Sequence, residues 1–302
     1  MTIGRHLSSF QGFSVVDYEA PLVPEAGVAY RLRLGWEAGK TWLNLFDAFL
    51  AEERVAEVEG IVVGAWGEMW DAGSGFIVDA LLAAREQLPN LKMIFMGDVT
   101  YEENEISWMV QSDMGRLLKG YPALVHFGVR GGGSLRFKDA GHDNLQSLVV
   151  QTGGLDRGVV HDILAGEWPA LRHLELWLGT ANYGATSRAE DIAPLLMGDL
   201  LPSLRYLGLR DSDIADDLAA TLALAPVLGE IEVLDLSLGT LSDAGGRALL
   251  NSPHVPKLKG LILHHHFMSD QMCEQLEALP IRVDVSDGQD DEDDWRFVAV
   301  GE

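Results

Sequence analysis

The sequence is poor in cysteine, in positive charge and in long apolar runs. Its 302 residues hold one cysteine, Cys273, which excludes an intrachain disulfide and suits a reducing compartment. Lys and Arg number 22 against 46 Asp and Glu, a formal net charge of −24. DNA or RNA needs a basic surface to displace its counterions, and an anionic membrane repels an acidic one. No run approaches the roughly 18 apolar residues of a bilayer-spanning helix. Residues 1–6 lead into mixed polar sequence rather than the apolar core of a secretion signal. The expectation is a soluble, cytoplasmic protein that binds neither nucleic acid nor membrane. Hydrophobic residues make up 47%, enough for a real core and too many for a disordered chain.

What the chain does have is an internal repeat of the form L-x-x-L-x-L. Copies run through Val58/Ile61/Val63, Leu91/Ile94/Met96, Leu124/Phe127/Val129 and Leu145/Leu148/Val150. They continue through Leu171/Leu174/Leu176, Leu204/Leu207/Leu209, Ile231/Leu234/Leu236 and Leu258/Leu261/Leu263, with weaker copies at Ala29/Leu32/Leu34 and Val283/Val285. The step is about 29 residues, the upper end of the leucine-rich-repeat range, where each unit holds a strand and a helix. Capping residues followed by apolar positions at helical spacing place helices over 42–53, 189–197, 216–228, 244–250 and 271–279.

A single strand–helix unit cannot bury its own apolar face, so the units must stack. The predicted fold is α/β: one leucine-rich-repeat solenoid over 1–302, a horseshoe of nine to ten repeats. A parallel sheet lines its concave face and helices its convex face. Residues 1–26 read as an N-terminal cap, 27–286 as repeats, and 287–302 as an acidic loop and a closing strand. In that strand Trp295 and Phe297 would cover the last repeat.

The stretch Leu234-Asp235-Leu236-Ser237-Leu238-Gly239-Thr240-Leu241-Ser242-Asp243-Ala244-Gly245 resembles the ribonuclease-inhibitor-like branch of leucine-rich-repeat proteins. Residues 97–108, 176–180, 208–212 and 295–302 are similar to one bacterial leucine-rich-repeat family of unassigned activity. Its genes tend to lie beside those of ATP-grasp-like, radical-SAM-like and sulfatase-like enzymes. The resemblance implies a non-catalytic accessory of a modification or biosynthetic system, and it supplies no site residues.

Several motifs have ordinary readings. Gly35-Trp36-Glu37-Ala38-Gly39-Lys40-Thr41 has three residues between its glycines where a phosphate loop needs four, so Thr41 reads as a helix cap. His264-His265-His266 on a strand alternate between faces and cannot converge on one metal. Asp98, Glu102, Glu103 and Glu105 read as solvated acids, as does the run 287–294. The enzyme alternative is a metal-dependent hydrolase or phosphoryl-transfer enzyme using Asp98/Glu102/Glu103 or the Asp211/Asp213 pair.

Stacking the repeats in register is more informative. Between the inward leucines it aligns Met93, His126, Ser147, His173 and Tyr206 in one column. Phe95, Glu175 and Asp235 fall in the next, and Arg130, Trp177, Arg210 and His264 in the last. Trp, Tyr and Arg dominate binding hot spots, and arginines in so acidic a chain suit a carboxylate-bearing partner. The expected function is a protein- or peptide-binding scaffold without cofactor or metal. Its candidate contacts are Phe95, His126, Arg130, His173, Glu175, Trp177, Tyr206, Arg210, Asp235 and His264.

Overall fold

A computed structural model describes residues 3–35, 39, 41–290 and 295–301. Twelve strands form one sheet in sequence order: β1 (Ser9–Phe10), β2 (Phe13–Asp17), β3 (Val28–Leu32), β4 (Gly60–Val63), β5 (Met93–Met96) and β6 (His126–Arg130). It continues with β7 (Ser147–Gln151), β8 (His173–Gly179), β9 (Tyr206–Ser212), β10 (Val233–Asp235), β11 (Gly260–Ile262) and β12 (Arg282–Asp284). From β2 onward every neighbouring pair is parallel, whereas β1 and β2 form an antiparallel hairpin. The expected all-parallel sheet is therefore mixed. The hairpin sits in the segment expected to be irregular.

The repeat register of the sequence is the pairing register of the sheet. Ile61, Ile94, Phe127, Leu148, Leu174, Leu207, Leu234, Leu261 and Val283 align strand to strand. Those residues lie in one apolar cluster with the inward faces of α1 (Trp42–Leu50), α2 (Gly75–Ala83), α3 (Gly115–Gly120), α4 (Arg157–Leu164), α5 (Ala215–Ala223), α6 (Asp243–Leu250) and α7 (Asp270–Glu277). The helices therefore share one face of the sheet.

The helix starts follow the capping residues. Thr41 caps α1 in a reciprocal pair with Asn44, and Ser242 and Ser269 cap α6 and α7. The predicted helix over 189–197 is a 3₁₀ helix, Ala189–Leu195, which holds Pro194; proline has no backbone N–H to donate. Of the glycine-rich turn before α1, residues 36–38 and 40 lie outside the described residues, as do 291–294 of the acidic run.

The closing strand expected at the end of the chain is absent: residues 295–301 have no regular structure and join no strand. Trp295 is 71% exposed, while Phe297 packs edge-on against His265 and Phe267. Among the described residues no helix is long and apolar enough to cross a membrane.

Candidate functional site

The face opposite the helices is not a bare sheet. Side chains alternate along each strand, so the residues between the inward leucines point to this second face. Three other parts of the chain lie on it. Phe10 and Phe13 form an apolar cluster with Ala29, Val62, Met93, Phe95 and Val149, with Phe10 edge-on to Phe95 at 5.1 Å. The loop after β5 contributes Asp98 and Ile106, and the segment 295–301 contributes Ala299 and Val300. Only part of this loop lies on the face, because Met109, Met114 and α3 pack in the helix-side cluster.

The buried charge on this face centres on Asp98, which is fully buried rather than solvated. Its Oδ2 lies 3.0 Å from Arg31 Nε and its Oδ1 3.4 Å from Arg130 Nη1. The Leu7 N–H reaches both oxygens, at 3.1 and 3.2 Å, and His6 lies alongside. Arg130, 3% exposed, also donates to Val99 O and Gln151 Oε1, and its guanidinium lies 5.6 Å from the Phe95 ring centroid. This cluster ties the start of the chain to the middle of the sheet. A carboxylate held by two guanidiniums is occupied, which counts against using Asp98 for metal or phosphoryl chemistry.

A second network spans β8, β9 and β10. Arg210 lies between Glu175, at 3.1 Å, and Asp235, at 3.3 Å, with its guanidinium 5.4 Å from the Trp177 ring centroid. The Trp177 indole N–H donates to Glu175 at 2.7 Å, and the Tyr206 hydroxyl donates to Asp235 at 2.6 Å. Burial pushes the Glu175 carboxyl up, but His173, Arg210 and Trp177 together outweigh it and hold it below the usual carboxylate range. Burial and the Asp235 and Glu175 charges raise the Tyr206 hydroxyl, so it stays a donor. His173 stacks on Tyr206 with centroids 4.0 Å apart and planes 6° apart, and its Nε2 lies 3.5 Å from Glu175.

The ten expected contact residues thus divide. Phe95, Arg130, Glu175, Trp177 and Asp235 are buried beneath or within these networks. His126, His173, Tyr206, Arg210 and His264 stay partly exposed. His126, His173 and Tyr206 occupy matching places on β6, β8 and β9, with the small Ser147 between the two histidines on β7. Burial and the neighbouring His173 lower the His126 pKa and favour its neutral imidazole. No hydrogen-bond partner is present among the described residues for His126 Nδ1 or Ser147 Oγ.

The histidine run, expected on a strand, lies past the end of β11, and His265 takes a left-handed φ of 57°, so strand alternation does not govern it. His264 lies 3.7 Å from Asp284, and His265 sits beneath Phe297. His266 accepts from the Met268 N–H and donates to Val285 O, which fixes its tautomer. Among the described residues no group of three or more His, Cys, Asp or Glu could hold a metal ion.

Sequence reasoning missed Arg31, Ile106 and the Asp211 carboxyl as parts of this face. Asp211 is fully buried, accepts the Val300 N–H at 2.8 Å, and is pushed up to about 8 by burial. Its partner Asp213 is turned away and accepts the Ala181 N–H. The one available signal is register: two places beyond the last inward residue of their repeats, Asp98 and Asp211 stand where others carry Leu178 and Leu238.

No family model and no curated protein matches the chain. Among solved structures it is similar to a Bacteroides fragilis protein, at 29% identity and a TM-score of 0.82, over 90% of this chain and 77% of that one. TLR13 in its complex with ssRNA13 aligns at 14% identity and a TM-score of 0.41, over 93% of this chain and 39% of that one. An internalin of Listeria monocytogenes aligns at 10% and 0.32, over 78% and 69%. The chain is a strand–helix repeat protein with the architecture of the Bacteroides structure.

Proposed function

We propose that the chain is a non-catalytic scaffold, one curved solenoid over 1–302, that recognises a protein or peptide through the row His126, His173 and Tyr206. The observation that carries this reading is the pre-organised stack of His173 on Tyr206, braced from below by Asp235, Glu175 and Arg210. A ring that is already fixed loses little freedom when a partner docks, and aromatic anchors of this kind dominate interface energetics. The strongly acidic composition favours a partner with basic groups at the rim over a nucleic acid. In keeping with the family resemblance, that partner would be an enzyme of a modification or biosynthetic system, or its peptide substrate.

The test is capture from the native host by wild type and by the double variant His126→Ala/His173→Ala, with circular dichroism confirming that both fold. Both side chains are partly exposed, so the variant trims the row at the surface, with His126 giving up its edge contact with Phe13. A partner held by wild type and lost by the variant supports the row. An unchanged set of partners moves recognition to the helical face.

A further inference from the structure

The segment 295–301 lies on the second face as a ligand would. Ala299 and Val300 are buried against Ile106, Trp177 and Leu238, which come from three separate parts of the chain. Three backbone groups hold it: the Ala299 N–H donates to Leu238 O and the Val300 N–H to Asp211 Oδ1, each at 2.8 Å, and Phe297 O accepts from His265 Nε2 at 3.2 Å. The chain bends at Ala299, and the Leu238 carbonyl and the Asp211 carboxyl each take one of these two N–H groups.

The clamp is built at a conformational cost. Leu238 and Asp211 take left-handed backbone angles, φ 68° and 52°, in places where the chain has spent no glycine. Strain of this kind gathers at ligand clamps. Upstream, Arg296 lies 3.6 Å from Asp216, and Asp213 and Asp217 complete an acidic rim around it. Trp295, by contrast, stays largely in solvent, while Phe297 packs on His265 and Phe267.

We propose that this groove is a peptide-recognition site whose resident occupant is the chain's own segment 295–301. The partner it fits is a segment that bends at the Ala299 place, with small apolar side chains in the Val298–Val300 places and a basic residue in the Arg296 place. The clamp reads two backbone N–H groups, the apolar floor limits side-chain size, and the acidic rim selects positive charge. This rests on the scaffold reading above and adds a second, self-occupied site to it.

The probe is a fluorescein-labelled peptide with the sequence of residues 295–301, added to the full-length chain and followed by anisotropy. In the variant Val300→Asp a carboxylate is forced into the apolar floor of Ile106, Trp177 and Leu238, which expels the resident segment. The peptide is expected to bind this variant saturably, at least tenfold tighter than it binds wild type, whose groove is filled. A peptide with Glu in the Arg296 place should bind at least fivefold more weakly. Equal or absent binding by both proteins overturns the proposal, as does no loss with the Glu peptide.

Should Val300→Asp fail to fold, amide exchange in wild type decides. A displaceable segment exchanges its Ala299 and Val300 amides at least a hundredfold faster than the amides of β8. A permanent part of the core exchanges them together with β8, which overturns the proposal. Loss of peptide binding with the partner of the His126/His173 row still captured refutes the groove and leaves the scaffold reading standing.

Discussion

Replacing Asp98 by Ala would strand two buried guanidiniums and one backbone N–H at once. Arg31 and Arg130 are 7% and 3% exposed, and neither can lose its proton as a buried lysine might. Removing one partner of a buried ion pair costs about 3–5 kcal/mol, because the remaining charge is desolvated without compensation. Arg130 keeps Val99 O and Gln151, and Arg31 keeps Leu7 O and the Asp17 carboxylate at 3.5 Å, so part of the loss is cushioned. The Leu7 N–H, however, loses its acceptor, which adds about 1–3 kcal/mol if it stays buried.

The chain can escape that second cost by releasing residues 3–10. The expected result is therefore a loss of about 3–5 kcal/mol, a large share of a domain's usual ~5–15 kcal/mol. Urea unfolding followed by circular dichroism measures the loss, and hydrogen exchange should show faster amides at residues 3–10. The triple variant Arg31→Met/Asp98→Leu/Arg130→Met, which removes all three charges, should recover most of the stability. A loss below about 1 kcal/mol in the single variant would refute the argument that this cluster fastens the N-terminal segment.

Two further substitutions test other parts of the structure. Burial keeps Asp211 protonated in the folded chain up to about pH 8, whereas an unfolded carboxyl ionises near 3.8. Between those values the folded state holds the extra proton, so stability falls as pH rises, by about 1.4 kcal/mol per unit. Asp211→Asn removes this dependence, and its advantage over wild type in urea should widen from pH 5 to pH 8; a constant gap would contradict the assignment. Gly179 has φ 68°, and an added Cβ would lie 1.9 Å from Gly153 O, so Gly179→Ala should lower the melting temperature by more than any surface change. A shift within about 1 kcal/mol of wild type would show that β8 and the 153–154 turn can separate there.

The strand register and the helical face were determined by the sequence itself. An inward residue every second place along a strand, and every third or fourth along a helix, is a local pattern repeated at a regular step. That is why the repeat spacing alone aligns Ile94, Phe127, Leu148 and Leu174, which are paired neighbours in the sheet. Thr41, Ser242 and Ser269 were readable for the same reason, since a cap and its helix lie within one turn.

The second face was decided only by tertiary structure. Whether Trp177 or Asp98 meets solvent depends on Val300 and Leu7, which lie far away in sequence and carry no periodic mark. Leu7 reaches Asp98 across 91 residues and Val300 reaches Asp211 across 89. A column of Trp, Arg and Glu reads alike whether it faces a partner or the chain's own ends. Only the folded chain shows that residues from 3–13 and 299–300 pack on that face and that His126, His173 and Tyr206 stay partly open.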